Sequence, residues 1–335
     1  MSCLYPVSCY RAIRPNENGT RPLAHTLRQA VSTFGADGFA EATRSCGNCI
    51  ECRLKKSRFT AVRCVHQASM FSDNCFITLT YDDDHFPSAH SVKKKDGSYS
   101  HYTHGSLCTD HLQKFWKRLR KEVGRSGIKY FAVGEYGDGK GERFRINSYG
   151  ERVGANPHYH ACVFSYDFPD KKICGKNERG DLYYESALLT DLWGKGRALL
   201  GDVTFESAAY CARYTLKKVY GDKADGHYDG LMPERPYWST GLGKAWFEKW
   251  SSDIYPSDQL VTRDGRVMTP PPYYDRLLLA HNPSLYEDVK NAREKIIISK
   301  NNFDLVRDPV HGRTMSVSEI VRRAQLRVGR LDAQR

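Results

Sequence analysis

A chain of 335 residues, 40% of them hydrophobic, can bury one large domain with appendages or two domains. Lys and Arg outnumber Asp and Glu by 51 to 39, a net charge of +12, and aromatics reach 12%. This balance favours a polyanionic partner, nucleic acid or an anionic membrane surface, and rings interleaved with cations suit single-stranded nucleic acid. The sequence has no apolar run of roughly eighteen residues to span a membrane, and the N-terminal stretch lacks the apolar core of a signal peptide. The chain is therefore expected in a reducing cytoplasm, with its 11 cysteines as thiols or metal ligands rather than disulfides.

In chain order, residues 1–45 read as irregular, with a short helical candidate near Leu23–Phe34. Leu54 to Met70 reads as a basic helix, and "NCFITLTYDDDHFP" (74–87) as a strand ending in an acidic turn. Residues 88–106 are polar and aperiodic and are expected to form a loop. Leu112, Phe115, Trp116, Leu119 and Val123 recur at helical spacing behind Thr109 or Asp110 as a cap. The lysines of that helix, Lys117 and Lys121 among them, fall mostly on its other side. "IKYFAVGEYG" (128–137) and "HYHACVFSY" (158–166) read as two strands of a long antiparallel hairpin joined by a Gly-rich basic loop. A short helix is expected within 184–196, and a strand end followed by a helix within 202–221. The last 45 residues form a basic, helix-prone tail. There is no internal repeat and no "GxxxxGK[ST]" phosphate loop.

Three groups of residues carry potential chemistry. His158 and His160 are two apart, so on a strand they project from one face, while Tyr159, Ala161 and Val163 face the other way. Pairing of the two strands brings Glu135 near them, and a carboxylate beside two imidazoles suits Mg²⁺, Mn²⁺ or Zn²⁺. Tyr210 and Tyr214 are i and i+4 and share a helix face, with Lys217 and Lys218 one turn further on. A phenol is a weak nucleophile at neutral pH, but a nearby cation or a polarised phosphate makes its attack feasible. Cys46, Cys49 and Cys52, with Cys64 after a gap, can supply four thiolates to a structural Zn²⁺, with Cys3 and His66 in reserve. An iron–sulfur cluster or plain unliganded thiols fit the same spacing.

Together the pieces resemble the HUH endonucleases, the rolling-circle replication initiators. "FITLTYDD" (76–83) is similar to their first motif, "PHYHACVF" (157–164) to the histidine motif, "VGEYG" (133–137) to the carboxylate strand and "YCARYTLKK" (210–218) to the two-tyrosine motif. "CGNCIECRLKKSRFTAVRCVHQA" (46–68), "GLGKAWFEKW" (241–250) and "PPPYYDR" (270–276) resemble the initiators of gokushovirus-type Microviridae, so that the likeness covers most of residues 1–280. Arg213 departs from the pattern, standing where related two-tyrosine enzymes often carry Lys.

The resemblance implies an α+β fold with a central antiparallel sheet of the HUH type and flanking helices. It implies one catalytic Mg²⁺ or Mn²⁺ on His158, His160 and Glu135, nucleophiles Tyr210 and Tyr214, and Lys217 in a phosphate or proton role. It further implies nicking of single-stranded or origin DNA through a 5′-phosphotyrosine link with a free 3′-OH, and later religation to a circle. A host helicase and polymerase would do the rest in the cytoplasm of a bacterial cell. Arg143, Arg145 and Arg152 of the basic loop, with Lys117 and Lys121, are the expected contacts to DNA backbone. The expected division is a Cys-containing region (1–70), the nuclease core (71–225), a family-specific extension (226–280) and a basic tail (281–335). An HUH transposase or relaxase, or a non-catalytic zinc-containing nucleic-acid-binding protein, are the alternatives; two tyrosines argue against the single-tyrosine transposase.

Overall fold

The computed structural model describes residues 3–17, 20–124, 127–177, 180–204, 207–209, 211–212, 218–262, 265 and 267–301, without the side chains of 294 and 296–301. Its chain forms two compact units, Ser57–Glu248 and Met1–Lys56 with Lys249–Arg335. This division cuts across the four segments expected from sequence, because helices Ile50–Ala68 and Lys244–Ile254 each run through a unit boundary.

The unit 57–248 is built on a seven-stranded sheet. In chain order its strands are β1 (Asn74–Thr80), β2 (Lys129–Glu135), β3 (His158–Phe164), β4 (Lys172–Lys176), β5 (Leu182–Glu185), β6 (Ala198–Asp202) and β7 (Pro236–Trp238). They lie in the order β4-β5-β6-β1-β3-β2-β7, every neighbour antiparallel. This is the expected α+β fold with a central antiparallel sheet. β3 sits between β1 and β2 and is buried along its whole length, so its alternation divides two cores.

On one face Ile77, Leu79, Tyr159, Ala161 and Val163 pack against helix α2 (Thr109–Val123) through Leu112, Phe115, Trp116 and Leu119. The short helix α3 (Ala187–Trp193) closes the same core through Leu189 and Trp193. On the other face Phe131, Val133, Cys162 and Phe164 meet Ala61 and Cys64 of α1 (Ile50–Ala68), and Ala208, Cys211 and Ala212. Gly134 is required between the two: a β-carbon there would meet Leu107 at 2.9 Å and the Tyr159 ring at 3.1 Å.

Several local readings change. The segment 88–106 contains a hairpin, His90–Lys93 with Tyr99–Tyr102, closed by Gly97 at positive φ and by Asp96, which accepts from Ser98 N–H at 3.0 Å. Its strands are short and polar and carry no apolar alternation. The basic loop likewise holds a small hairpin, Phe144–Ile146 with Arg152–Gly154. Residues 1–45 are not irregular: Val7–Ala12 pairs with Leu23–Ala24 and Phe39–Arg44, and Thr26 caps the helix Leu27–Phe34 by accepting from Gln29 N–H. Neither Thr109 nor Asp110 caps α2. The cap position is Cys108, without a side-chain hydrogen bond of its own, and the sheet satisfies its backbone instead. The Tyr159 hydroxyl accepts from Cys108 N–H and donates to Cys108 C=O, both at 2.8 Å, and the Tyr136 hydroxyl accepts from Leu107 N–H at 3.0 Å.

In the other unit, the helices Pro272–His281 and Pro283–Asn301 are tied by Arg293, which bridges Asp258 and Asp275 in charge-assisted pairs. Beyond residue 301 the expected basic tail lies outside the described residues.

Candidate metal centre

The register of β3 sets the site. His158 lies opposite Glu135 on β2 and Thr80 on β1, and His160 lies opposite Val133 and Thr78. Because both neighbours are antiparallel and in register, the side chains of 135, 158 and 160 emerge on the same face, the one shared with Cys162 and Phe164. The expected hairpin register and the expected alternation are both present.

The geometry is close. His158 Nε2 is 2.8 Å and His160 Nε2 is 3.3 Å from the same Glu135 oxygen, and one donor atom from each residue lies within 4.8 Å of the others. All three residues are buried. Burial alone would raise the Glu135 carboxyl; hydrogen bonds from His158 and His160 override it and hold the group far below the usual carboxylate range.

The tautomer of His158 follows from its other nitrogen. Nδ1 is 2.7 Å from the carbonyl of Asn156, which can only accept, so Nδ1 carries a proton and donates it. A neutral His158 then turns the lone pair of Nε2 toward a carboxylate oxygen at 2.8 Å, a repulsive arrangement. Either a second proton or a cation shared by the two groups removes the conflict. A carbonyl on the far nitrogen is the support that metal-bound imidazoles have, fixing both ring orientation and tautomer. His160 is held similarly, with Nδ1 2.9 Å from Thr78 Oγ1 and its ring stacked beside Phe76. The donor set of one carboxylate and two imidazoles therefore fits a divalent cation. Asn156 and Thr78 were not read from the sequence as part of the site. The signal was available for Thr78, because the alternation of β1 already placed Thr78 and Thr80 on one face.

Next to the centre is a cavity of about 410 Å³ lined by Thr80, Tyr81, Tyr136, Gly137, Arg143 and Asn156, among others. The expected DNA-contacting residues are distributed unevenly around it. Arg143 borders the cavity, paired with Asp83 and 3.5 Å from Asn156. Arg152 folds back on its own loop, donating to the carbonyls of Gly139 and Gly141 and lying over the Phe144 ring. Arg145 turns inward to the carbonyl of His227. Lys117 and Lys121 are exposed on α2, which packs on the face of the sheet opposite the histidines. The structure does not bring them to the centre. Tyr210, Tyr214 and Lys217 lie outside the described residues.

The cysteine cluster differs from expectation. Cys46, Cys49 and Cys52 come together with Cys3, not with Cys64. Cys52 and Cys64 are 12 residues apart on one helix, about 18 Å at 1.5 Å per residue, too far to share one ion. Cys64 is instead fully buried in the core beneath the histidine face.

A carboxylate–histidine centre on the face of an antiparallel sheet, in a basic and aromatic-rich chain, defines a protein that handles phosphates of nucleic acid. The comparisons name the class. Residues 74–219 match the family model for the phage replication-associated protein ORF2. The replication-associated protein ORF2 of Spiroplasma virus 4 is 32% identical over 260 residues, 75% of this chain and 73% of that protein. The replication-associated protein VP4 of Bdellovibrio phage phiMH2K is 29% identical over 276 residues, 82% and 78% of the two chains. The replication-associated protein ORF4 of Chlamydia phage 1 is 27% identical over 292 residues, 82% of this chain and 65% of that one. No solved structure matches. The chain belongs to this family of phage replication-associated proteins, and the gokushovirus-type likeness holds. No helix among the described residues is long and apolar enough to cross a membrane.

Proposed function

We propose that this chain is the metal-dependent nicking and rejoining enzyme of rolling-circle replication, acting on single-stranded or origin DNA inside the bacterial host cell. The observation that carries the reading is the His158 tautomer: a donated Nδ1 proton leaves Nε2 facing a carboxylate, an arrangement suited to a cation. Glu135, His158 and His160 would hold Mg²⁺ or Mn²⁺. That ion, when bound, supplies Lewis-acid polarisation of the scissile phosphate.

The remaining steps belong to the chain. The oxygen of Tyr210 or Tyr214 attacks phosphorus and the bond to the 3′ oxygen breaks. The products are a 5′-phosphotyrosine and a 3′ oxygen that takes up a proton, while the phenol proton leaves to solvent or to a base. Lys217 would orient the phosphate. The second tyrosine would cleave the regenerated origin, and the released 3′-OH would attack the first link to close the circle. A host polymerase, behind a host helicase, would extend the first 3′-OH in the interval.

Two features support this assignment beyond the centre itself. Ala208, Cys211 and Ala212, which bracket Tyr210 in sequence, pack on the histidine face, and the Cys211 thiol is pushed up by burial, by its hydrogen bond to Cys162 and, more weakly, by the Glu135 charge. The cavity beside Asn156 and Arg143 offers a nucleotide a seat next to the scissile phosphate.

The test is a covalent adduct. Wild-type protein with Mn²⁺ and single-stranded origin DNA should yield a protein–DNA species that survives denaturation. The Tyr210→Phe/Tyr214→Phe double variant should yield none. An adduct of undiminished yield in that variant would refute the tyrosine mechanism.

A further inference from the structure

The N-terminal cysteines make a second centre that nicking does not use. Cys3 Sγ and Cys49 Sγ are 3.9 Å apart, and one sulfur from each of Cys3, Cys46, Cys49 and Cys52 lies within 4.8 Å of the others. Four thiolates at about 2.3 Å from a tetrahedral ion stand about 3.8 Å from one another by simple geometry. The spacing therefore suits one mononuclear ion. A cubane iron–sulfur cluster binds each cysteine to a different iron and spreads the sulfurs more widely.

The backbone is already arranged for sulfur acceptors. Cys46 N–H points to Cys3 Sγ and Cys49 N–H to Cys46 Sγ, both at 3.2 Å. All four cysteines are free thiols. The surrounding fold also has need of a tie. The sheet of Val7–Ala12, Leu23–Ala24 and Phe39–Arg44, with its helix Leu27–Phe34, has only small side chains fully in its interior among the described residues: Cys9, Ala12, Ala24 and Ala30. Such a core contributes little apolar burial, and small elements of this kind are commonly held by a metal or a disulfide.

We infer that Cys3, Cys46, Cys49 and Cys52 form a closed tetrathiolate Zn²⁺ site. It ties the segment before strand Val7–Ala12 to the segment after its partner Phe39–Arg44 and to the first turn of the helix that follows. The set has no open position for water or substrate, so its role is structural. Zn²⁺ outranks Fe²⁺ at such a site in the general affinity order of divalent metals.

The experiment uses the full chain carrying His158→Ala/His160→Ala, so that the other centre contributes no metal. Elemental analysis should find one zinc per chain. Iodoacetamide with peptide mapping should leave Cys3, Cys46, Cys49 and Cys52 unlabelled until a chelator is added, while the exposed Cys174 labels in both conditions. Co²⁺ in place of zinc should give the intense visible absorption of a tetrahedral thiolate site. Cys3→Ser should weaken its charge-transfer band in proportion to the lost thiolate, and Cys64→Ser should leave it unchanged. Protein that takes up neither Zn²⁺ nor Co²⁺, labelling of Cys3 as fast as Cys174 in zinc-loaded protein, or loss of the ion in Cys64→Ser would each overturn the assignment. The labelling arm needs no cysteine variant, so a misfolded Cys3→Ser does not decide the matter.

Discussion

Tyr159 stands between the two histidines in sequence and on the other side of the sheet in space, so Tyr159→Phe separates fold from chemistry. Its ring is fully buried, and its hydroxyl satisfies both backbone groups of Cys108 at the start of α2. Phenylalanine preserves the ring packing and removes only that oxygen. The Cys108 N–H and C=O are then left buried without that partner. An orphaned buried donor costs about 1–3 kcal/mol, and the carbonyl adds less because a second lone pair can be served elsewhere. The sum is about 2–4 kcal/mol, or roughly 5–15 °C in Tm for a unit of this size. Urea denaturation should show a lower midpoint with unchanged slope, since the surface exposed on unfolding is the same. Calorimetric Mn²⁺ titration of the folded variant should give wild-type affinity, because the hydroxyl faces away from Glu135. A variant as stable as wild type, or one that folds normally but no longer binds Mn²⁺, would refute the claim that alternation on β3 assigns one face to packing and the other to the metal.

Three further outcomes are expected. His158→Ala/His160→Ala should abolish Mn²⁺ binding and metal-dependent cleavage while DNA binding keeps its salt dependence, read by fluorescence anisotropy over a salt series; cleavage at the wild-type rate would exclude the centre. Gly134→Ala should cost about 1–3 kcal/mol, because its β-carbon must displace Leu107 and the Tyr159 ring, and a thermal melt will register it. His66, stacked on Trp246 at 3.5 Å, has its pKa lowered by burial from 6.5 to about 3. The unfolded chain takes up a proton below about pH 6.5 and the folded chain does not, so this contribution is complete above that pH and declines toward pH 3 at about 1.4 kcal/mol per pH unit. Between pH 7 and pH 5, wild type should lose about 2 kcal/mol more than His66→Phe in urea melts; equal losses would count against a neutral buried ring.

The sequence by itself determined the parts of this protein that repeat at short range. The i, i+2 spacing of His158 and His160 fixes a shared face once the segment is a strand, and the apolar spacing from Leu112 to Leu119 fixes the buried side of α2. It also carried the family likeness, because chemistry-bearing residues in one order along the chain need no coordinates to be seen. Tertiary structure decided whatever depends on which distant segments meet. Cys3 rather than Cys64 completes the cysteine set because a helix carries Cys64 away from Cys52, and the pairing of Val7–Ala12 with Phe39–Arg44 draws the N-terminus to Cys46. Tyrosine hydroxyls from the sheet, not Thr109 or Asp110, satisfy the start of α2, since capping needs only an oxygen in the right place and sequence shows only the local candidates. The same packing turned the lysines of α2 away from the metal face: their charge is a property of composition, but their direction is a property of the core beneath them.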